Sequence, residues 1–209
     1  VLVTMGRLTR QKGQRYLLRT FRQVKKEISD VRLIILGEGE LRSKLEQLRH
    51  ELSLDASVDF LGWQKNPFAF MGKSQLFVLS SLWEGLPDVV LEAMACGLPV
   101  ISSDCRSGPR EILAPATDVR VQTGSIEEAE YGILVPPPSG EREEALFASA
   151  IIRMLKDTDL RKRLAQKGKE RSLQYDIAAI IPQWKFLWEQ SAPSVCPVCK
   201  NPALFELVQ

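Results

Sequence analysis

The amino-acid sequence predicts an α/β domain built on a mostly parallel sheet with helices packed on its faces. Three observations carry that expectation. Short apolar runs alternate with longer segments of helical period, as in successive strand–helix–strand units. The runs are continuous rather than alternating, as in Leu33-Ile34-Ile35-Leu36, which is the pattern of strands buried on both faces. Two of the runs lead through glycine-containing turns into helices, and in such folds ligands bind where strands end and helices begin.

In chain order, strands are expected at Val1–Met5, Arg32–Leu36, Val58–Leu61, Leu76–Leu79, Val100–Ser102 and Gly132–Val135. Between the first two, Leu17, Leu18, Phe21, Val24 and Ile28 recur at helical spacing and form one apolar stripe. Leu41, Leu45, Leu48 and Leu52 mark a second helix. A third is expected between Pro87, suited to a first helical position, and Gly97, suited to the residue just past an end. The stretch from Ala114 to Tyr131 has weak periodicity and reads as a long, mobile loop. Pro136-Pro137-Pro138 ends the last strand. Beyond it the pattern is helical: Ile151, Met154 and Leu155 mark one helix, Leu160 and Leu164 another. Ile177, Ile180, Ile181, Trp184, Leu187 and Trp188 mark a final one, which Pro182 is expected to kink or restart.

The chain has 209 residues, room for one domain with a full core and an appendage. Residues 1–190 are assigned to that domain and 191–209 to a tail that begins a further one. A hydrophobic share of 44% and a charged share of 26% are those of an ordinary globular protein. The net charge of +2 is too small for a nucleic-acid footprint. No apolar stretch approaches the ~20 residues of a membrane span. The opening Val1-Leu2-Val3-Thr4 reads as a strand already under way, so the chain is expected to be a fragment. Cys96 and Cys105 stand singly, and the absence of a disulfide framework fits a reducing, cytoplasmic setting. Cys196 and Cys199 form a C-x-x-C, half of a tetrahedral zinc site, or two ordinary cysteines of a tail.

Two segments carry candidate chemistry. Gly6-Arg7-Leu8-Thr9-Arg10-Gln11-Lys12-Gly13 links a strand to a helix, whose first N–H groups attract anions. Arg7 and Lys12 add a planar fork and a point charge suited to a pyrophosphate. The alternative is a solvated basic loop. The second segment runs from Ser80 to Gly97. It places Glu92 among Val89, Val90, Leu91, Ala93, Met94 and Ala95, where a buried carboxylate needs donors: a ligand's hydroxyls, or an Arg or Lys partner. Glu84 precedes the helix, and Gly85 beside it lets backbone approach a ligand. The only histidine, His50, lies in a polar helix and reads as a surface residue, and there is no Asp-x-Asp metal motif.

Glu84 and Glu92, within S-x-x-E-G-L-P-x-x-x-L-E-A-M-A-C-G-L-P-V-I, resemble the E-x7-E signature of retaining group-1 glycosyltransferases. Gly6-Arg7-Leu8 with Lys12-Gly13, Phe60-Leu61-Gly62-Trp63 and Tyr131-Gly132-Ile133-Leu134-Val135-Pro136 fall in that family's order, so the resemblance covers Val1 to about Gln190. It implies one Rossmann-like half of a GT-B fold, the C-terminal half that binds a UDP-, GDP- or ADP-sugar. By the same resemblance Gly6, Arg7 and Lys12 hold the donor diphosphate without a metal. Glu84 contacts the transferred sugar beside the backbone of Gly85, Leu86 and Asp88. Leu91 and Glu92 lie at the nucleotide, with Glu92 on the ribose hydroxyls. Arg7, Lys12 and Glu84 are the implied catalytic residues. The acceptor, a glycan or lipid-linked sugar, belongs to an N-terminal domain absent from this chain. Where the family shows a Gly-Gly loop, the chain has Asp104-Cys105-Arg106-Ser107-Gly108-Pro109-Arg110-Glu111-Ile112, with Arg110 either a ligand contact or an ion pair near Glu111. A sugar-nucleotide epimerase of the same architecture and a non-catalytic nucleotide-sugar-binding module remain as alternatives. A glycoside hydrolase also uses two carboxylates but needs no basic turn.

Overall fold

The computed structural model describes residues 1–191, which fall in two compact units, Val1–Ser172 and a second beginning at Leu173. In the first, six short strands form the parallel sheet: β1 (Leu2–Met5), β2 (Leu33–Leu36), β3 (Val58–Gly62), β4 (Leu76–Leu79), β5 (Val100–Ser103) and β7 (Ile133–Val135). A two-residue strand, β6 (Glu127–Glu128), adds antiparallel to β7 at the edge. The order is β3-β2-β1-β4-β5-β7-β6. The sequence therefore predicts all six parallel strands and the fold class. β6 is an addition, inside the segment expected to be a plain loop.

The helices of this unit are α1 (Gln14–Glu27), α2 (Arg42–Glu51), α3 (Phe68–Met71), α4 (Asp88–Ala95), α5 (Pro109–Leu113), α6 (Glu141–Lys156) and α7 (Thr158–Ser172). The stripe on α1 is buried at Leu17, Leu18, Phe21 and Val24. It joins Phe147, Ile151 and Met154 of α6 and the inner sides of β1, β2 and β4 in one core. Both helices also suit their dipoles: α6 opens on Glu141, Glu143 and Glu144 and ends on Arg153 and Lys156, and α1 ends on Lys25 and Lys26. α4 begins one residue later than Pro87 suggests, and Gly97 follows its end at φ 75°, the left-handed position that stops a helix. The short α3 and α5 escape prediction, because so few residues show no helical period.

The second unit contains a 3-10 turn, Leu173–Tyr175, and α8 (Ile177–Ser191). α8 runs unbroken through Pro182, where a kink or restart is expected. Proline there removes one bond, to the Ala178 carbonyl, and Gln183 Nε2 donates to the neighbouring Ala179 carbonyl at 3.0 Å. Cys196 and Cys199 lie outside the described residues. Among the described residues, no helix is long and apolar enough to cross a membrane.

The sheet order positions the site. From β1 the chain winds to β2 and β3, then returns to β4 on the other side of β1. Such a reversal leaves a crevice beyond the carboxyl ends of the two central strands. The turn after β1 and the loop after β4 face each other there.

Candidate functional site

The two segments are fastened together by their own polar groups. Leu82 N–H donates to the Gln11 carbonyl at 2.7 Å, Gln11 Nε2 to the Trp83 carbonyl at 3.0 Å, and Ser80 Oγ to the Lys12 carbonyl at 3.0 Å. Gly13 makes this approach feasible. Its φ is 66°, and a Cβ there would sit 2.1 Å from the Ser80 carbonyl oxygen. α1 begins at once after Gly13, with no side-chain cap and no acid in its first turn. Its leading N–H groups are thus left for an outside acceptor, an arrangement that favours anions. Gln14 Nε2 donates to the Arg7 carbonyl at 2.9 Å and shapes the turn from below.

Lys12 and Glu84, 72 positions apart, meet in an ion pair of 2.7 Å. The Glu84 side chain is only 6% exposed. Its Oε1 accepts from Lys12 Nζ and, at 2.6 Å, from Ser81 Oγ, whereas Oε2 receives only a long contact from Gln11 Nε2 at 3.4 Å. One carboxylate oxygen is saturated and the other retains capacity. The Arg7 side chain is exposed and has no hydrogen bond or ion pair among the described residues. Arg7, Thr9, Arg10, Gln11, Lys12, Glu40 and the half-exposed Trp83 line a groove of about 580 Å³.

Neither Glu84 nor Glu92 lines that groove: Glu84 reaches it through Gln11 and Lys12, and Glu92 stands apart from it. Glu92 is half-buried one turn into α4 from Asp88, and its side chain has no hydrogen bond or ion pair among the described residues. The Arg or Lys partner considered for it is not found. Burial lifts its carboxyl above the ordinary range, and the nearby Asp88 charge adds to the rise. Leu91 is half-buried beside it, and Gly85, Leu86 and Asp88 are exposed at the start of α4. Gly6 lies in the turn between Met5 and Arg7, its N–H bound to the Leu36 carbonyl at 3.0 Å. Arg110 pairs with Asp104 and Glu127 rather than near Glu111. His50 is exposed and bonds Asp55. The reading of the residues did not single out Gln11, Ser81 and Trp83. The first two act through hydrogen bonds to residues distant in the chain or to Glu84, which leave no pattern in a sequence.

A wider depression, about 710 Å³, shares none of these residues and lies against α1 and α6. Its charges partly offset each other, with Arg19 at 3.6 Å from Glu144. Among the described residues, no three metal-ligating side chains cluster.

A mostly parallel sheet in this strand order, with the turn after β1 and the loop after β4 fastened together at its switch point, defines a Rossmann-like domain of the GT-B kind. Residues 1–171 match the family described as "Glycosyl transferases group 1", and the chain belongs to that family. It is 46% identical over 201 residues to an uncharacterized glycosyltransferase of Methanocaldococcus jannaschii, covering 90% of this chain and 49% of the relative. It is 33% identical over 179 residues to a Campylobacter jejuni protein, N-acetylgalactosamine-N,N'-diacetylbacillosaminyl-diphospho-undecaprenol 4-alpha-N-acetylgalactosaminyltransferase, covering 86% and 44%. Among solved structures, HepE of Anabaena, crystallised with UDP and glucose, superposes with a TM-score of 0.73 at 24% identity, covering 90% of this chain and 48% of that one. The chain spans about half the length of the curated relatives it matches.

Proposed function

We propose that the chain is the donor-binding half of a retaining glycosyltransferase that takes a nucleoside-diphosphate sugar. The observation that carries this reading is the groove lined by Arg7 and Lys12, with the Lys12–Glu84 pair and the uncapped start of α1 beside it. A diphosphate fits it: Arg7 offers a planar fork, and Lys12 has three donors, of which Glu84 takes one. Glu84 keeps Oε2 for a hydroxyl of the transferred sugar, and Glu92 accepts from the ribose hydroxyls. Gly85, Leu86 and Asp88 supply backbone at the sugar, while Gly6 and Leu91 complete the nucleotide's surroundings.

In transfer, the bond from the anomeric carbon to the diphosphate oxygen breaks, and its electron pair leaves with the phosphate. Negative charge grows there while the sugar becomes cationic. Fixed cations at that phosphate stabilise the transition state more than the ground state. Arg7 and Lys12 do this without a divalent metal in the proposed scheme. The acceptor, a glycan or lipid-linked sugar, is held by an N-terminal domain, and the work is done in the cytoplasm. The Campylobacter jejuni relative, named for sugar transfer to a diphospho-undecaprenol glycan, supports that acceptor class.

The test is a melting-shift panel of UDP, GDP and ADP against uridine, guanosine and adenosine. One diphosphate is expected to stabilise the chain markedly more than its nucleoside. Equal shifts for every pair would overturn the reading.

A further inference from the structure

The segment between α5 and β7 touches no proposed ligand contact, yet its polar groups converge on one buried arginine. Arg110 is 5% exposed. Its Nε donates to Asp104 Oδ1 and Oδ2 at 3.1 and 3.2 Å, and its Nη2 to Asp104 Oδ2 at 2.5 Å and Glu127 Oε2 at 2.7 Å. Its Nη1 donates to Glu127 Oε1 at 3.1 Å and Thr117 Oγ1 at 3.0 Å. All five N–H groups of the guanidinium are used. Asp104, 1% exposed, also accepts the Thr123 N–H at 2.6 Å, and its carbonyl accepts Gln122 Nε2 at 2.7 Å. The segment is therefore fastened at Thr117, Gln122, Thr123 and Glu127.

Asp104 opens the loop that runs from β5 to α5, and that loop grips Glu84. The Arg106 carbonyl accepts the Glu84 N–H at 3.0 Å, and the Ser107 N–H donates to the Glu84 carbonyl at 3.1 Å. Gly108 lies so close to Gly85 that a Cβ would fall 2.0 Å from the Gly85 carbonyl oxygen. Both backbone polar groups of Glu84 are thus held by a loop whose first residue is clamped by Arg110. A buried ion pair by itself adds little stability, since desolvation offsets much of the attraction. Its value here lies in direction: a planar fork on two carboxylates fixes angles that a point charge leaves free.

We propose that Arg110 is a positioning residue for Glu84, acting through Asp104 and the 104–108 loop, with the 117–127 segment as the brace that keeps Arg110 in place. This rests on the reading of Glu84 as the contact to the transferred sugar.

The experiment is calorimetric titration of the chain with UDP and UDP-glucose, GDP and GDP-mannose, and ADP and ADP-glucose. The pair that wild type binds serves as the probe. The quantity read is the sugar increment, the ratio of the two Kd values. Arg110→Met is expected to shrink the increment about three- to tenfold, the loss of up to one hydrogen bond to the sugar, with the nucleoside diphosphate Kd within about twofold of wild type. Arg110→Lys should restore part of it, and Glu127→Gln and Thr117→Val should shrink it in the same direction by less. Those two outer variants carry the test if the Arg110 variants do not fold. Lowered melting temperature with an unchanged increment would show that Arg110 only packs, which overturns the proposal. Glu84→Gln is the control. If it too leaves the increment intact, the sugar assignment of Glu84 fails and the positioning role goes with it. If wild type binds none of the six compounds, the donor reading itself is overturned.

Discussion

Arg7 and Lys12 belong to one turn but stand in different electrostatic settings. The Arg7 side chain is exposed and without a partner among the described residues, so removing it should cost binding and nothing else. Arg7→Ala is expected to weaken UDP or GDP about tenfold or more while leaving the nucleoside and the unliganded melting temperature unchanged. Lys12 also neutralises the buried Glu84. Lys12→Ala should therefore cost the same binding and, in addition, about 1–3 kcal/mol of stability from the orphaned carboxylate. Each kcal/mol is about 2–4 °C for a unit of this size. Equal losses of nucleoside and diphosphate affinity would remove the phosphate assignment. Glu92 presents the opposite sign. Its pKa is raised in the folded chain by burial first and by Asp88 second. The folded state then binds more protons than the unfolded state, so the favourable contribution exists below the unfolded pKa and is lost as pH rises through the folded one. Glu92→Gln should raise the melting temperature at neutral pH by about 1 °C, with the gain vanishing in acid. The same variant should weaken a ribonucleoside diphosphate and spare its 2′,3′-dideoxy analogue. A stabilising change that harms binding is what a ligand-facing acid predicts.

The element that links chemistry to fold is α1, whose start is fixed by Gly13. Gly13→Ala meets two penalties, a left-handed residue costing about 1–2 kcal/mol and a collision with the Ser80 carbonyl. The turn should be pushed from the 80–84 loop, so the melting temperature should fall by about 4 °C or more and the diphosphate-specific shift should disappear. Retained diphosphate selectivity in a destabilised Gly13→Ala chain would show that the approach of the two segments does not matter for binding. The strands, α1 and α4 were legible in the sequence because their signals are local: continuous apolar runs, a 3.6-residue stripe, Pro87 and Gly97 as punctuation. The anchoring of the 114–131 segment was not. β6 is two residues long and pairs Glu127 with Leu134, and the Arg110 clamp draws on Asp104, Thr117 and Glu127 from three separate places. The same limit applies inside the site. Arg7, Lys12, Glu84 and Glu92 could each be picked out by type and setting, but not the 72-residue contact that pairs Lys12 with Glu84, nor the separation of Glu92 from the groove.

At the scale of the molecule, the first unit carries its own sheet, core and site, while the chain spans about half the length of the relatives it matches. A half that folds around its own core can bind a donor without being able to transfer. Transfer also needs an acceptor hydroxyl beside the anomeric carbon and exclusion of water from it, and a groove open to solvent offers neither. The chain alone is thus expected to bind its nucleotide-sugar yet to release free sugar at a rate barely above background and to pass none to an acceptor. Joined in one polypeptide to an N-terminal half of the same protein, it should keep its donor Kd within about tenfold, because the contacts proposed for diphosphate, ribose and sugar all come from this half. Turnover should then rise by orders of magnitude, since positioning of two reactants is worth about 7–11 kcal/mol. Measuring donor Kd and glycosyl transfer on both proteins checks this directly. Transfer by the chain alone at the joined protein's rate would mean that the acceptor site lies within these residues, and the division of labour proposed for the two halves would fall.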